Sequence, residues 1–308
     1  MISPSTRGVY FLANNKIIEL AIAFLNSFRE HNPTIPLCLI PYDDNVDQIL
    51  ALRDKYSFTL FEDQDLLRAC DVISEKFHGK TLGAYRKLVA WEGKFDEFAY
   101  VDTDTVVVDN IDFVFENLEH TEIFTSHSNI PALRKWVWKD SIESKKALSR
   151  EQMAFSANTG FFVSKAKLLD MTYIQSQVDA ALELKDDMEL HCMEQPFLNY
   201  LIVTSNFSYG SLLTFYQSGV NRRVKFEWWA GRPGGIVKGG RLTARRSLPV
   251  FLVHWAGLWQ SGNGSLVEIP YKKLWDYYRF PELRHEQALV QPSWGERLRL
   301  GIRRLLMV

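Results

Sequence analysis

The chain has little cysteine. Three residues in 308, Cys38, Cys70 and Cys192, lie far apart and in no Cys-x-x-Cys spacing. That argues against a disulfide scaffold and against a structural zinc site, and it fits a reducing, intracellular compartment. Net charge is also scarce: 36 Lys and Arg against 37 Asp and Glu give a formal −1. Bulk electrostatics therefore offers no reason to expect a nucleic-acid partner. No apolar run reaches the roughly 18 residues of a membrane-spanning helix. The start, Met1-Ile2-Ser3-Pro4, lacks a basic segment followed by a long apolar stretch, so no signal peptide is expected. There is no internal repeat and no low-complexity linker. What is present is 46% apolar residues, enough for the core of one large α/β domain.

The apolar pattern alternates between strand and helix. Residues 8–13 read as a buried strand. Residues 17–31 place Ile18, Ala21, Ile22, Leu25 and Phe28 at helical spacing until Pro33 and Pro36 break it, and residues 37–40 read as a second strand. This β-helix-β order predicts a parallel sheet. The pattern repeats with a helix at 46–55, a strand at 58–61, a helix at 82–95 and a strand at 98–101. Later segments are less regular: a strand at 123–126, an apolar run at 161–163, a mostly helical stretch at 168–190, a helix at 197–203, a mobile Gly-rich loop at 231–246 and a late strand at 249–254. The expected division is one α/β catalytic domain over 1–280 and a C-terminal extension over 281–308.

Asp102-Thr103-Asp104 follows the strand at 98–101, and ligands in open α/β sheets bind at strand C-termini. Alternate strand residues share a face. Two carboxylates aimed at one point repel unless a cation lies between them, and oxygen ligands suit Mg²⁺ or Mn²⁺. Such a metal stabilises the charge of a leaving diphosphate. His254 ends the late strand, and its imidazole completes a mixed Asp/Asp/His set that favours Mn²⁺. Gly257 lets backbone approach a phosphate closely. Two rival readings stand beside this one. The first is a haloacid-dehalogenase-like phosphatase, whose first motif also fits Asp102-Thr103-Asp104-Thr105-Val106, with Asp102 as nucleophile. The second is a non-catalytic sugar-binding module.

Four further blocks make the Asp pair more specific. Tyr85-Arg86-Lys87-Leu88 precedes it, and Asn158-Thr159-Gly160-Phe161-Phe162, Glu194-Gln195-Pro196 and His254-Trp255-Ala256-Gly257 follow in order. Together they resemble the GT-A-fold glycosyltransferases, in particular the glycogenin-like, galactosyltransferase-like family 8 group, over residues 8–260. The resemblance implies a Rossmann-like, mixed and mainly parallel central sheet flanked by helices. It implies a hexose moved from a nucleotide-diphosphate sugar, UDP foremost, with retention. Asp102, Asp104 and His254 would bind Mn²⁺ (or Mg²⁺). Leu12, Ala13 and Asn14 would hold base and ribose. Arg86, Lys87, Thr103, Asn158, Gly160 and Gly257 would contact the donor, with Glu194 and Gln195 near the anomeric carbon. The expected acceptor is a carbohydrate, a lipid-linked sugar or a protein. Two departures stand out: Leu258-Trp259-Gln260 replaces the family's Lys-Pro-Trp-like element, and Glu194 stands where Asp is commoner.

Two basic segments remain. Arg222, Arg223, Lys225, Arg232, Lys238, Arg241, Arg245 and Arg246 surround Trp228 and Trp229, a composition suited to clamping phosphate and stacking on sugar. At the C-terminus, Trp294, Leu298, Ile302, Leu305 and Leu306 follow helical spacing beside Arg297, Arg299, Arg303 and Arg304. This basic amphipathic segment, 294–308, suits an anionic membrane surface, the domain's own surface or a second copy in a homodimer. The expected location is cytoplasmic, with the inner face of a membrane as the site of any peripheral contact.

Overall fold

The computed structural model describes residues 6–244, 249–258 and 269–284. Among them lie strands β1 (Arg7–Ala13), β2 (Leu37–Pro41), β3 (Phe58–Leu60), β4 (Glu97–Asp102), β5 (Thr105–Val107), β6 (Ile123–Thr125), β7 (Phe161–Lys165), β8 (Tyr209–Ser211), β9 (Phe226–Trp229), β10 (Gly235–Lys238), β11 (Arg241–Ala244) and β12 (Val250–His254). Seven form the central sheet, in the order β3-β2-β1-β4-β7-β6-β8. β3, β2, β1 and β4 are parallel, β7 is antiparallel to both neighbours, and β8 is parallel to β6. The mixed, mainly parallel sheet is thus the one expected.

The sheet is covered on both faces, which is why β1 and β2 read as continuous apolar runs rather than alternating ones. Side chains still alternate between two cores. Tyr10, Leu12, Phe98, Tyr100 and Phe162 pack on one face with Leu67, Cys70, Ile73 and Phe77 of the helix Gln64–His78. Val9, Phe11, Ala99 and Val101 pack on the other with Phe24, Leu25 and Phe28 of the helix Ile18–His31. Phe162 stacks on both Trp91 and Tyr100, with ring centroids 5.0 Å apart in each pair. That stack is the floor beneath the end of β4.

A second sheet, β5-β12-β9, abuts the first. The chain leaves the central sheet at Asp102, turns through Thr103 and Asp104, and enters the second sheet at Thr105. β12 runs antiparallel to β5 and places His254 opposite Thr105. The junction of the two sheets therefore gathers the ends of β4 and β12.

Several elements differ from the sequence expectation. The segment 46–55 forms two single turns, Asp47–Leu50 and Arg53–Tyr56. The segment 82–95 is a run of 3₁₀ turns, Gly83–Glu92. The helix within 168–190 covers only Met171–Leu182. The helix Gln64–His78 was not expected, although its signals are local: Asp63 caps the amides of Asp65 and Leu66, and Gly79 ends it at φ 67°. The Gly-rich stretch expected to be a mobile loop is largely a hairpin, β10–β11. Gly239 and Gly240, at φ 52° and 71°, make its two-residue connection, and a pair of positive φ angles is what tight hairpins use. Tyr278 and Tyr271 pin it, their hydroxyls bonded to Gly240 O at 2.7 Å and to Gly235 N at 3.0 Å. Cys38, Cys70 and Cys192 are free, and no helix among the described residues is long and apolar enough to cross a membrane. Arg245, Arg246, Trp259, Gln260 and the segment 294–308 lie outside the described residues.

Candidate active site

β4 ends at Asp102, so the two carboxylates do not converge by strand alternation. A turn brings Asp104 back. The Thr105 hydroxyl donates to Asp102 O at 2.7 Å, the Thr103 hydroxyl donates to Leu12 O, and Trp255 N–H donates to Asp104 O at 2.9 Å. Asp102 N–H donates to Gly160 O at 2.7 Å. These bonds fix the acidic pair from four sides.

His254 meets it. One ligand atom each from Asp102, Asp104 and His254 lie within 4.8 Å of one another. His254 Nε2 is 3.0 Å from Asp104 Oδ1 and 4.0 Å from Asp102 Oδ2. Although buried, Nε2 has no hydrogen-bond partner, because its approach to Asp104 is not aligned for one. A buried ring nitrogen aimed at two carboxylates without a hydrogen bond suits a divalent cation with mixed O and N ligands. Burial opposes charge on the imidazole, but Asp104 and Glu227 outweigh it and hold its pKa well above 6.5 in the metal-free protein. The residues present thus fit the Mn²⁺ or Mg²⁺ that the resemblance implies.

Lys87 sits behind the acidic pair and is almost fully buried. Its ammonium is 2.6 Å from Glu194 Oε1 and donates to Asp102 Oδ1 at 3.2 Å and to Thr159 O at 3.4 Å. It also lies 4.7 Å from the centroid of the Tyr100 ring, whose hydroxyl donates to Asp102 Oδ1 at 2.7 Å. Burial disfavours the ammonium, yet Asp102 and Glu194 more than restore it. Burial likewise works against the Asp102 carboxylate, but Lys87 and His254 hold its pKa below 3.8. Burial raises Glu194 above 4.5 in spite of Lys87. The four carboxylates of Asp102, Asp104, Glu194 and Glu227 face one ammonium and one imidazole, which leaves a deficit of positive charge at this point.

The remaining expected residues fall into two groups. Asn158, Gly160, Glu194 and Gln195 join the cluster. Asn158 Oδ1 accepts from Gly160 N at 2.7 Å, Thr159 donates through Oγ1 to Glu194 at 3.2 Å and through N–H to Gln195 Oε1 at 3.3 Å. Met193, at φ 56° and ψ −118°, turns the chain into the helix Gln195–Thr204 and sets Glu194 at its start. Leu12, Ala13 and Asn14 lie beside Asp102 at the end of β1, where Leu12 is in register with Asp102. Asn14 caps a short turn through Lys16 N and donates to Asp43 at 2.7 Å. Gly257 has a φ of 73°, and a Cβ there would meet none of the described residues within 4 Å. Arg86 points elsewhere: it is bidentate to Asp71 at 2.9 and 2.7 Å and reaches Pro41 O. The basic residues near Trp228 are dispersed too. Lys225 pairs with Asp109 at 2.9 Å, and Arg232 stacks over Trp228 at 4.8 Å. Trp228 is buried, whereas Trp229 is 49% exposed.

Sequence reasoning missed Ser126, Trp136 and Glu227. Glu227 Oε1 is 2.6 Å from His254 Nδ1, and Ser126 Oγ donates to Glu227 Oε2. Trp136 O accepts from Gln195 Nε2 at 2.9 Å. Glu227 had one legible signal, a single acid flanked by Phe226, Trp228 and Trp229.

Gly160 explains itself. A Cβ there would lie 2.3 Å from His254 Cε1 and 2.7 Å from Asp102 Oδ2. Gly160→Ala is expected to push two of the three candidate ligands apart and to weaken Mn²⁺ binding at least about tenfold, roughly 1.4 kcal/mol. Calorimetric titration with Mn²⁺ checks this; unchanged affinity would show that the junction yields without cost.

The mixed α/β fold with its seven-stranded central sheet is of the GT-A type, as the likeness to solved glycosyltransferase structures shows. No protein-family model and no curated protein matches the sequence. Among solved structures, the bifunctional glycosyltransferase WbbM in its apo form matches with a TM-score of 0.57 at 10% identity, over 95% of this chain and 53% of that one. The galactosyltransferase LgtC, in complex with donor and acceptor sugar analogues, matches with a TM-score of 0.53 at 14% identity, over 94% and 99%. Mouse xyloside xylosyltransferase 1, apo form, matches with a TM-score of 0.51 at 12% identity, over 83% and 99%. This chain spans about half of WbbM. At these identities the likeness shows the shared fold.

Proposed function

We propose that this protein transfers a sugar unit from a nucleotide-diphosphate sugar to an acceptor. The observation that carries the reading is the convergence of Asp102, Asp104 and His254 at the junction of the two sheets. A Mn²⁺ or Mg²⁺ held there would supply positive charge for the departing diphosphate. The chain's own residues do the rest. Asp102 and Asp104 would hold the ion with His254. Lys87 favours the ionised form of Asp102 and opposes the effect of burial on Glu194. Gln195 is gripped at both ends of its amide, by Thr159 and by Trp136, which fixes its orientation before a substrate arrives. Leu12, Ala13 and Asn14 receive the nucleoside, UDP being the expected carrier and a hexose the expected sugar. Retention of the donor's configuration follows from the family resemblance.

Trp136 supports a sugar acceptor. Trp136 is 42% exposed, its ring meets the His191 ring at 5.7 Å, and its backbone carbonyl accepts from Gln195 Nε2, with buried Val137 and Trp138 following it in the chain. An exposed indole on a backbone tied to Gln195 suits the apolar face of a pyranose. Trp136→Ala is expected to raise the acceptor KM about tenfold, roughly 1.4 kcal/mol, and to leave donor hydrolysis unchanged. Equal acceptor kinetics in the two proteins would remove Trp136 from this role.

The phosphatase alternative is not favoured. Asp102 lies on the fourth strand in sequence rather than the first, and the matching folds are glycosyltransferases. The deciding assay follows release of nucleoside diphosphate from a panel of UDP- and GDP-sugars with Mn²⁺ or with EDTA. Metal-dependent turnover of one of them is expected, with proton NMR of the product reporting retention. Binding of no nucleotide sugar, with turnover of a phosphate ester instead, would overturn the proposal.

A further inference from the structure

We propose that Glu227 is the positioning residue of the metal centre: it fixes the tautomer and ring orientation of His254, so that Nε2 faces Asp102 and Asp104. The proposal rests on the metal reading of this site. Glu227 lies within β9, is 6% exposed, and has Phe226 and Trp228 as sequence neighbours. A carboxylate in such surroundings is costly unless both oxygens are satisfied. Here both are. Oε1 is 2.6 Å from His254 Nδ1, and Oε2 accepts from the Ser126 hydroxyl.

The direction of these bonds decides the chemistry. A carboxylate accepts, so Nδ1 must carry the hydrogen, and a neutral ring then has its lone pair on Nε2. Nε2 is the atom that lies 3.0 Å from Asp104 and lacks a hydrogen bond. Glu227 itself is not placed as a ligand, because its oxygens are spent on the far side of the imidazole. Carboxylates that accept from a ligating histidine commonly fix its ring and strengthen its basicity.

The fold builds this contact deliberately. The pairing of β9 with β12 shifts register between Val250 and Leu252, so that Glu227 pairs with Leu252 and His254 lies two residues further on. Such irregularities re-aim side chains. Ser126 follows β6 of the central sheet, and His127 Nδ1 lies 3.2 Å from its hydroxyl. The chain Ser126–Glu227–His254 thus spans both sheets and makes the aim of the metal ligand depend on how they dock.

Titration of the full-length protein with Mn²⁺ alone, followed by loss of the free-ion EPR signal, tests this. Glu227→Ala is expected to weaken Mn²⁺ binding about 10- to 100-fold, and the near-isosteric Glu227→Gln to weaken it less. Glu227→Gln keeps the test readable should the alanine variant fail to fold. His254→Ala is expected to lose at least as much, and the pair Glu227→Gln with His254→Ala to lose no more than His254→Ala alone, since Glu227 acts through that ring. A merely structural role would instead make the two losses add. Wild-type binding with unchanged affinity in Glu227→Gln and Glu227→Ala would overturn the role of Glu227 alone. A wild-type protein that does not bind Mn²⁺ would overturn the metal reading and this role with it.

Discussion

Asp104→Asn is expected to lower sugar transfer by about 10³-fold, roughly 4 kcal/mol of transition-state stabilisation. The amide keeps the size and the turn but removes one of the charges that make a cation favourable next to Asp102 and His254. EDTA treatment of the wild type should cost as much, and EDTA should add nothing further to the variant. A loss of less than about tenfold would mean that Asp104 is not a metal ligand. The same site predicts a pH dependence. A metal needs the His254 lone pair, while Asp104 and Glu227 raise the affinity of that ring for a proton in the metal-free protein. Below the raised pKa, each binding event must expel one proton. Apparent Mn²⁺ affinity should then rise about tenfold per pH unit, for example from about pH 6 to 7. Calorimetry in two buffers of different ionisation enthalpy would detect the released proton.

Lys87→Met should cost about 3–5 kcal/mol of stability, because it keeps the volume and leaves Glu194 and Asp102 without their buried cation. The melting temperature should drop by roughly 5 °C or more. Replacing Glu194 by Gln in the same protein should recover part of that loss, since the uncompensated charge is then gone. The sign of the pH effect is also fixed. Glu194 already has a raised pKa with Lys87 in place, and without the ammonium it rises further. Protonation relieves the charge, so the deficit against wild type should shrink as pH falls from about 8 to about 5. Melts at the two pH values check this; a deficit that grows towards acid would contradict the ion-pair account.

Much of the fold was legible because it was written locally. Residues 8–13 and 37–40 are continuous apolar runs with a helical repeat between them, and such runs go to strands covered on both faces. Asp63 and Gly79 marked the ends of Gln64–His78 equally well. The diluted apolar period at Leu67, Cys70, Ile73 and Phe77 concealed that helix. The Gly-rich stretch misled for the opposite reason: glycine signals both mobility and the positive φ angles of a tight hairpin, and only the partner strand distinguishes them.

In the site, residue type and chain order were enough to single out Asp102, Asp104 and His254. A strand-end acidic pair and a strand-end imidazole are features of short segments. Their convergence is not, since 150 residues separate Asp104 from His254 and strand alternation ends at Asp102. Lys87 as the counter-ion of Glu194 and Glu227 as the support of His254 were also out of reach. The first depends on a 3₁₀ segment packed beneath β4, the second on a register shift beside β12. The sequence by itself determined which segments bury and which side chains were candidates for the chemistry, because periodicity and polarity act over a few residues. Only the docking of the second sheet against the first decided which charges meet, because that contact joins residues far apart in the chain.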